Sequence, residues 1–313
     1  MQNGPASPGP ALGQLSEVKP QFPPGTAFID GKFVPISEAK ISILDWGFLR
    51  SDATYDVVHV WKKRFFQLDK HLDRFFSSVA KLRMTVPVDR TTLTDILRQC
   101  VLRSGLVDAY VEMICTRGNS PTFSRDPRDA TNRLICFAIP FGWIANEAQR
   151  KRGLRIAISS VVRIPPSSVD PTVKNYHWLD LVKALYEGYD NGAENVVLVN
   201  ERGEITEGPG FNIFAVSGGA VVTPPSGVLM GITRQSVLDI CAELAITARA
   251  DVLTAAHLAA ADEVFITSTA GGIMPVTYID GRPVGGGAIG PTTARIHDVY
   301  WTHHEDPDWS TPL

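Results

Sequence analysis

The chain has 313 residues, of which 44% are hydrophobic and 20% are charged, and its formal net charge is -3. This length is enough for one large or two medium domains with a substantial core, and the composition is that of an ordinary globular protein. The small negative charge argues against nucleic acid or an anionic membrane as a partner, and no apolar run is long enough to span a membrane.

The cysteines and the N-terminus bear on the compartment. No basic region followed by an apolar core opens the chain, so no secretory signal is visible. The four cysteines lie in apolar segments without CxxC or other metal-like spacing: Cys100, Cys115, Cys136 and Cys241. We therefore interpret them as reduced core residues, expect no bound metal, and predict a cytoplasmic protein.

The first part of the chain predicts a mobile arm followed by a small α+β domain at 25–141. Residues 1–24 are rich in Pro, Gly, Ser and Gln and lack periodicity. Asp30-Gly31 between apolar residues predicts a hairpin, because a type I′ turn needs positive φ at both residues. The other predicted elements are strands 55–61 and 64–68 joined at Lys62-Lys63, a helix capped by Asp69, a helix at about 91–104 that Gly105 ends, and strands 109–115 and 133–139.

A charged stretch at 142–152 is predicted to be the linker to a larger domain at 153–313. The elements predicted there are strand 154–159, a loop and helix around Lys174, strand 195–199 with Ile205, hairpin 211–216 with 220–223, helix 233–244, strand 263–267 and helix 291–303. Because strands and helices do not alternate strictly, we expect an α+β protein rather than a doubly wound sheet.

Lys174 lies where a predicted loop meets a predicted helix. Asp170-Pro171 indicates the loop, since proline disfavours helix in the residue before it. Residues Leu179, Val182, Leu185, Tyr186 and Tyr189 then recur at helical spacing, and Gly192 is placed to end the helix. A lysine in apolar company is poorly hydrated and can attack a carbonyl as an amine, but taken alone Lys174 is more simply a surface lysine at a helix start.

Three later stretches supply complementary chemistry. Gly231-Ile232-Thr233-Arg234 precedes a helix, so its N–H groups and the Thr233 hydroxyl could face an anion. Hydroxyls and glycines of 267–272 follow a strand and could form a backbone nest. Glu207 is a carboxylate flanked by glycines. Each pattern is weak by itself, but together with Lys174 they offer an amine, an anion site and a carboxylate for a pyridinium nitrogen.

Four spaced motifs resemble the fold type IV pyridoxal-phosphate transaminases, the superfamily of branched-chain and D-amino-acid aminotransferases. They are Val173-Lys174-Asn175, Thr206-Glu207-Gly208-x-Gly-Phe-Asn, Gly231-Ile232-Thr233-Arg234 and Thr269-Ala270-Gly271-Gly272-Ile273. The resemblance covers about 25–305 and implies a two-domain α+β fold of the D-amino-acid aminotransferase-like type, with pyridoxal 5′-phosphate as cofactor.

The resemblance assigns roles to the cofactor-binding residues. It implies that Lys174 attaches the cofactor covalently and shuttles the proton between the substrate α-carbon and the cofactor. It implies that Glu207 pairs with the pyridinium. The cofactor-binding set is completed by Arg74, Ile232, Thr233, Ser268 and Thr269, of which Arg74, Ile232, Thr233 and Thr269 would bind the phosphate. Without the family, Arg74 would be read as the exposed side of an amphipathic helix.

Within this group the chain looks most like the (R)-selective amine transaminases. The motifs that carry this likeness are Leu44-Asp45-x-Gly-Phe48-Leu49-x-Ser51-Asp52, Thr54-Tyr55-Asp56-Val57 and Asp170-Pro171-x-Val173-Lys174-Asn175. Branched-chain transaminases have an arginine two residues after a strand tyrosine, where it holds the substrate carboxylate. Here the strand reads Tyr110-Val111-Glu112, and Glu112 would repel such a carboxylate. The remaining predicted substrate-binding residues that line the pocket are Tyr55, Val57, Tyr110, Trp178 and Ala270.

The resemblance does not identify directly which cation binds the carboxylate of the keto-acid acceptor. The (R)-amine family has a mobile arginine in the loop after Thr116-Arg117-Gly118, and in an ungapped register that position is Phe123 here. Arg125 lies two residues further on, and Arg50 is a second cation near the expected site. We predict that Arg125 binds the acceptor carboxylate, with Arg50 as the alternative.

The resemblance therefore implies a homodimer with its active site between domains, near the subunit interface. The predicted reaction is ping-pong transfer of an amino group from an (R)-configured primary amine to a keto acid such as pyruvate, with these small molecules as the only substrates. The alternatives are a branched-chain or D-amino-acid transaminase and, less favoured, an aminodeoxychorismate lyase-like enzyme. A non-catalytic relative is disfavoured because Lys174, Glu207 and Arg74 occur together.

Overall fold

The computed structural model describes residues 21–313, so residues 1–20 of the predicted arm lie outside the described part of the chain. The described residues form two β-sheets with helices packed on them, an α+β architecture as predicted.

The N-terminal half contributes six strands and four helices. In chain order they are β1 (Thr26–Ile29), β2 (Lys32–Pro35), α1 (Trp46–Arg50), β3 (Ala53–Trp61), β4 (Arg64–Phe66), α2 (Leu68–Lys81), α3 (Arg90–Ser104), β5 (Ala109–Asn119), β6 (Thr131–Pro140) and α4 (Glu147–Arg152). Short 3-10 helices lie at Ile36–Glu38 and Pro127–Asp129.

The C-terminal half contains the remaining elements. They are β7 (Leu154–Val162), α5 (Leu179–Asp190), β8 (Asn195–Val199), β9 (Glu207–Gly208), β10 (Phe211–Ser217), β11 (Ala220–Thr223), α6 (Ile232–Glu243), β12 (Ala248–Ala250), α7 (Ala255–Ala259), β13 (Glu263–Ser268), β14 (Gly272–Ile279), β15 (Arg282–Pro283), α8 (Pro291–Thr302) and β16 (Ser310–Pro312).

The first sheet has the strand order β16-β4-β3-β5-β6-β1-β2 and is antiparallel throughout. The second has the order β12-β11-β10-β13-β14-β7-β8, with β9 paired to β10 and β15 to β14. In the second sheet β7 runs parallel to both β8 and β14. Helices α2 and α3 cover the first sheet, while α6 and α8 pack on β13 and β14 of the second.

Both predicted hairpins of the first sheet are confirmed by their turn residues. Asp30 and Gly31 have φ of 51° and 75°, and Lys62 and Lys63 have φ of 48° and 62°. Positive φ at two successive residues is what a two-residue type I′ turn requires.

Three details of the prediction are corrected by the structure. The N-cap of α2 is Gln67 and not Asp69, which lies within the first helical turn. The predicted linker contains α4, which begins with a capping box between Asn146 and Gln149. The C-terminal strand β16 joins the first sheet beside β4, so the chain end does not stay with the second sheet as the predicted boundary implied.

Helix α5 also shows a difference between pattern and packing. Its recurring apolar residues Leu179 and Tyr186 are 85% and 66% exposed, whereas the buried face consists of Leu181, Ala184 and Gly188. A Cβ at Gly188 would lie 2.3 Å from the Val196 side chain, so the helix uses its small residues to approach β8 closely. The larger apolar stripe is left on the surface.

The remaining sequence expectations concern thiols and membranes. All four cysteines are buried and free, as predicted, and the cytoplasmic location stays a prediction. Within residues 21–313, no helix combines the length and apolar character that crossing a bilayer requires.

Candidate active site

A cleft of about 430 Å³ is lined by residues of both sheets and of the loops between them. Twelve of the predicted site residues form part of its wall: Tyr55, Val57, Arg74, Tyr110, Lys174, Trp178, Glu207, Ile232, Thr233, Ser268, Thr269 and Ala270. The structure therefore brings together side chains that are up to 215 positions apart in the sequence (270 minus 55).

Lys174 is anchored to the first sheet through its main chain. Its carbonyl oxygen accepts hydrogen bonds from the Tyr55 N–H at 3.1 Å and from the Thr54 hydroxyl at 2.7 Å. Its Nζ lies 4.5 Å from the centre of the Tyr55 ring, within the range of a cation–π contact. These contacts fix the direction in which the amine enters the cleft.

Arg74 is held by a carboxylate that the sequence analysis missed. Its Nε and Nη2 donate to the two oxygens of Asp56 at 2.7 and 2.9 Å, and Nη1 donates to the Met230 carbonyl at 3.0 Å. His71 Nδ1 lies 2.8 Å from Asp56 Oδ1. Complete burial opposes ionisation of Asp56, but the Arg74 charge and the His71 hydrogen bond hold its pKa well below the usual range. Asp56 therefore stays charged and fixes the guanidinium.

The N-terminus of α6 opens into the same cleft beside Arg74. Its N-cap is Gly231 and no side chain caps it, so the first N–H groups of the helix remain available to a ligand. A Cβ at position 231 would lie 2.1 Å from the Asn212 side-chain oxygen, which explains the glycine. Thr267 Oγ1 is buried in the wall and has no hydrogen-bond partner among the described residues. Together these groups can bind an anion.

Glu207 lies buried on β9 at another part of the wall. Its Oε2 accepts from the Leu229 N–H at 2.8 Å, and its Oε1 accepts from Nε and Nη2 of Arg163 at 3.3 Å. Burial raises the pKa of Glu207, although the charge of Arg163 and the Leu229 N–H oppose this effect. Arg163 also donates to Asp180 at 2.6 Å. A cation in the cleft would favour the charged form of Glu207.

Glu112 is not among the residues that line the cleft, and its predicted role in substrate binding stays a prediction. The Tyr176 hydroxyl donates to its Oε1 at 2.8 Å, and Tyr176 in turn stacks on Tyr55 with ring centres 4.4 Å apart. Burial raises the pKa of Glu112, and the Tyr176 hydrogen bond opposes the rise. The carboxyl group is thus hydrogen-bonded to a tyrosine that stacks on the cleft residue Tyr55.

Neither predicted acceptor arginine lines the cleft. Arg50 is exposed on α1, where its guanidinium stacks 3.6 Å above the Trp46 ring. Arg125 is exposed in the loop between β5 and β6, and within residues 21–313 its side chain makes no hydrogen bond or ion pair. Phe123, in the register position of the relatives' arginine, is 83% exposed. The roles of both arginines stay predictions, because surface cations of this kind reach a ligand only by moving.

Sequence reasoning missed Asp56, Arg163 and Asp180. The sequence did contain a signal for Asp56, because it is the lone carboxylate of a mostly apolar strand. Arg163 directly follows β7 and Asp180 lies in the first turn of α5, where an acidic residue is common for reasons unrelated to a site. Only their contact in the fold reveals the connection to Glu207.

Comparisons with known proteins agree with this geometry. The family model described as "Amino-transferase class IV" matches residues 53–279. A putative branched-chain-amino-acid aminotransferase of Methanocaldococcus jannaschii is 33% identical over 276 residues, covering 87% of this chain and 94% of the relative. The branched-chain-amino-acid aminotransferase of Escherichia coli K12 is 27% identical over 281 residues, with 88% and 91% covered.

A solved structure shows the same similarity at the level of the fold. The branched-chain amino acid aminotransferase of T.th. with pyridoxamine 5′-phosphate superposes with a TM-score of 0.87 at 29% identity, covering 93% of this chain and 99% of that one. The fold is thus shared with this structure over 93% of the chain.

Proposed function

Because the chain belongs to the class IV amino-transferase family and is a pyridoxal-phosphate-dependent aminotransferase, we propose that it moves an amino group from an (R)-configured primary amine to a keto acid. The family supplies the reaction class and the cofactor. The proposed donor follows from the residues that line this particular cleft, and the proposed acceptor from a cation outside its wall.

The residues of the cleft fit pyridoxal phosphate. Arg74, the open N-terminus of α6 and the unpartnered Thr267 hydroxyl suit the phosphate. Lys174 offers the amine, and Glu207 offers a buried carboxylate with an unused acceptor position on Oε2. In the proposed assignment Ile232, Thr233, Ser268 and Thr269 complete the phosphate and ring contacts.

Lys174, Glu207 and Arg74 have separate roles in the proposed reaction. When bound, pyridoxal phosphate supplies an aldehyde that carries the amino group and a ring that withdraws electrons from the reacting carbon. Lys174 Nζ takes the proton from the donor carbon in the first half-reaction and returns one to the acceptor carbon in the second. Glu207 holds the ring nitrogen in its protonated form, and Arg74 fixes the phosphate so that the reacting atoms stay near Lys174.

The proposed amine specificity rests on the observation that the arginines of the cleft are already paired with carboxylates. Among the described residues, the arginines of the wall are Arg74 and Arg163, and both are engaged by buried carboxylates. The aromatic side chains of the wall include those of Tyr55, Tyr110 and Trp178, and the centre of the Tyr55 ring lies 4.5 Å from Lys174 Nζ. A donor carboxylate placed against these rings would lose its hydration without gaining a guanidinium partner, whereas an apolar substituent would gain from burial.

The acceptor requires a cation that enters from outside the wall. We propose that Arg125 supplies it from the loop between β5 and β6 when a keto acid binds, and withdraws for an amine donor. The exposure of Arg125 and its lack of a described partner are compatible with such movement. Arg50, stacked on Trp46, is the alternative cation.

A branched-chain amino-acid transaminase is the second candidate. The names of the relatives favour it, since the M. jannaschii, E. coli and T.th. proteins all have branched-chain descriptions. This alternative needs a carboxylate partner for the donor, and Glu112 occupies the strand position where such an arginine was expected. A D-amino-acid transaminase would have the same need.

We further propose a homodimer whose interface lies near the cleft. The segment before and within α1 has exposed large apolar side chains, among them Ile43 and Phe48, which are 73% and 65% exposed. Phe123, two residues before Arg125, is also exposed. An apolar surface of this kind marks an interaction site. A second copy covering it would also place Arg50 and Arg125 in an enclosed environment.

A donor panel tests the proposed function. With pyruvate as acceptor, the (R)-enantiomer of an arylalkyl amine is expected to be transaminated faster than its (S)-enantiomer, L-leucine or D-alanine. Formation of the ketone and of alanine would be measured by chromatography. Preference for L-leucine would establish the branched-chain alternative, and preference for D-alanine would establish a D-amino-acid transaminase.

A further inference from the structure

Three buried groups form a hydrogen-bonded ionic cluster behind the carboxylate of Glu207. Arg163 Nη1 donates to Asp180 Oδ2 at 2.6 Å, while its Nε and Nη2 reach Glu207 Oε1 only at 3.3 Å. The side chains of Arg163, Asp180 and Glu207 are 11%, 8% and 8% exposed. We call these three residues the Arg163 cluster.

The Arg163 cluster has two carboxylates and one guanidinium, so it lacks one positive charge. Asp180 is the better satisfied carboxylate, because it also accepts the N–H groups of Ile164 and Leu181, both at 2.9 Å, and lies in the first turn of α5, where the helix dipole favours a negative charge. Glu207 has the longer contacts with Arg163. The negative charge that is not balanced therefore resides on Glu207, which faces the cleft.

Lys174 is the other cation whose charge acts on Glu207. It makes no hydrogen bond with the Arg163 cluster within the described chain, and its amine is committed to the cofactor aldehyde in the proposed reaction. The group that can complete the cluster is thus a cation bound in the cleft, and the protonated ring nitrogen of pyridoxal phosphate is such a group.

We propose that Asp180 is a positioning residue for cofactor recognition: by holding Arg163, it leaves the carboxylate of Glu207 available to the ring nitrogen. Without the charge of Asp180, Arg163 would turn to Glu207 and form a closer pair, and the ring nitrogen would meet a neutral pair instead of an anion. This inference rests on the proposed role of Glu207 and extends it to a residue that does not line the cleft.

The test compares two probes that differ only in the ring nitrogen. Pyridoxal 5′-phosphate and 1-deazapyridoxal 5′-phosphate, in which a C–H group replaces that nitrogen, are titrated into the full chain freed of cofactor, and both dissociation constants are measured by absorbance. Wild-type protein is expected to prefer the natural cofactor by about tenfold or more, the effect of one charge-assisted hydrogen bond. Asp180→Asn is expected to lose most of that preference, and Asp180→Glu to retain it.

Two further variants keep the test decisive. Asp180→Ser keeps an oxygen for the Ile164 N–H without a charge and should also lose the preference, so it serves if Asp180→Asn does not fold. Asp190→Asn, at the exposed end of α5, should leave the preference unchanged. If a folded Asp180→Asn or Asp180→Ser protein weakens both probes equally and keeps the wild-type preference, Asp180 is merely structural and the inference is overturned. A wild-type protein without any preference would instead overturn the role of Glu207 itself.

Discussion

The two sides of the cleft differ in how their polar groups are held. On the side of the second sheet, Glu207 and Thr233 are buried on regular elements, and Glu207 has hydrogen-bond partners from other segments. On the side of the first sheet, Asp56 likewise holds Arg74, but the cations proposed for the acceptor, Arg50 and Arg125, are exposed and lie outside the wall. In the proposed assignment, preorganised groups bind the rigid cofactor, whereas aromatic rings and loop residues bind the interchangeable substrates.

This difference predicts that substitutions of residues proposed to bind the cofactor have larger effects than substitutions of residues proposed to bind the substrates. The largest is expected for Lys174→Ala, because no neighbouring lysine lines the described cleft to replace its amine. The variant should lose the covalent link to the cofactor, the yellow colour and nearly all turnover. Borohydride reduction followed by peptide mapping should place the label at Lys174 in the wild type. Lys183→Ala, exposed on α5, is the matched control, and a label on any other lysine would remove Lys174 from its role.

Glu207→Gln should have the next largest effect. The amide keeps the shape of the side chain but removes the charge that stabilises a protonated ring nitrogen. Losing one charge-assisted hydrogen bond costs about 1.5–3 kcal/mol, which corresponds to a rate about ten- to a hundredfold lower in the proton-transfer half-reaction. Stopped-flow absorbance with bound cofactor measures this rate.

The exposed Glu201→Gln variant controls for loss of charge elsewhere in the second half of the chain. Unchanged single-turnover rates in Glu207→Gln would show that the carboxylate does not act on the ring. They would also weaken the contrast between the two sides of the cleft.

The sequence located the residues proposed for the cofactor better than those proposed for the substrates. The reason is physical. Lys174, Glu207 and Thr233 belong to short motifs in which glycine, hydroxyl and charge requirements are local, so neighbouring residues reveal them. The Arg163 cluster could not be found in this way, since its members are distant in sequence and only the packing of α5 beside β7 joins them.

The elements of the fold, like the site residues, were predictable only where a requirement is local in sequence. Hairpins such as Asp30-Gly31 were predictable because a turn has a local backbone requirement. The buried face of α5 was not, because its large residues Leu179 and Tyr186 lie outside and small residues contact the sheet. The position of β16 depends on pairing with β4, whose partner residues lie 244 to 248 positions earlier, and no local pattern encodes such a contact.

The smallest effect is expected for the acceptor arginine on the substrate side. Arg125→Ala should raise the KM for pyruvate by roughly tenfold, the loss of one charge-assisted contact, while the KM for an aldehyde acceptor stays unchanged. Arg128→Ala is the matched control, since Arg128 lies in the same loop but is paired with Asp126. Equal effects on both acceptors, or a loss seen only with Arg50→Ala, would exclude Arg125.

The central claim, that this cleft accepts donors without a carboxylate, is tested most directly in the donor half-reaction alone. The enzyme with bound cofactor is mixed with an (R)-arylalkyl amine, its (S)-enantiomer or L-leucine in the absence of any keto acid, and the loss of the cofactor's visible absorbance is followed in a single turnover. Since no acceptor is present, the result does not depend on Arg125 or Arg50. The account predicts the fastest conversion with the (R)-amine and little conversion with L-leucine in the same time. Conversion with L-leucine at least as fast as with the (R)-amine would contradict it.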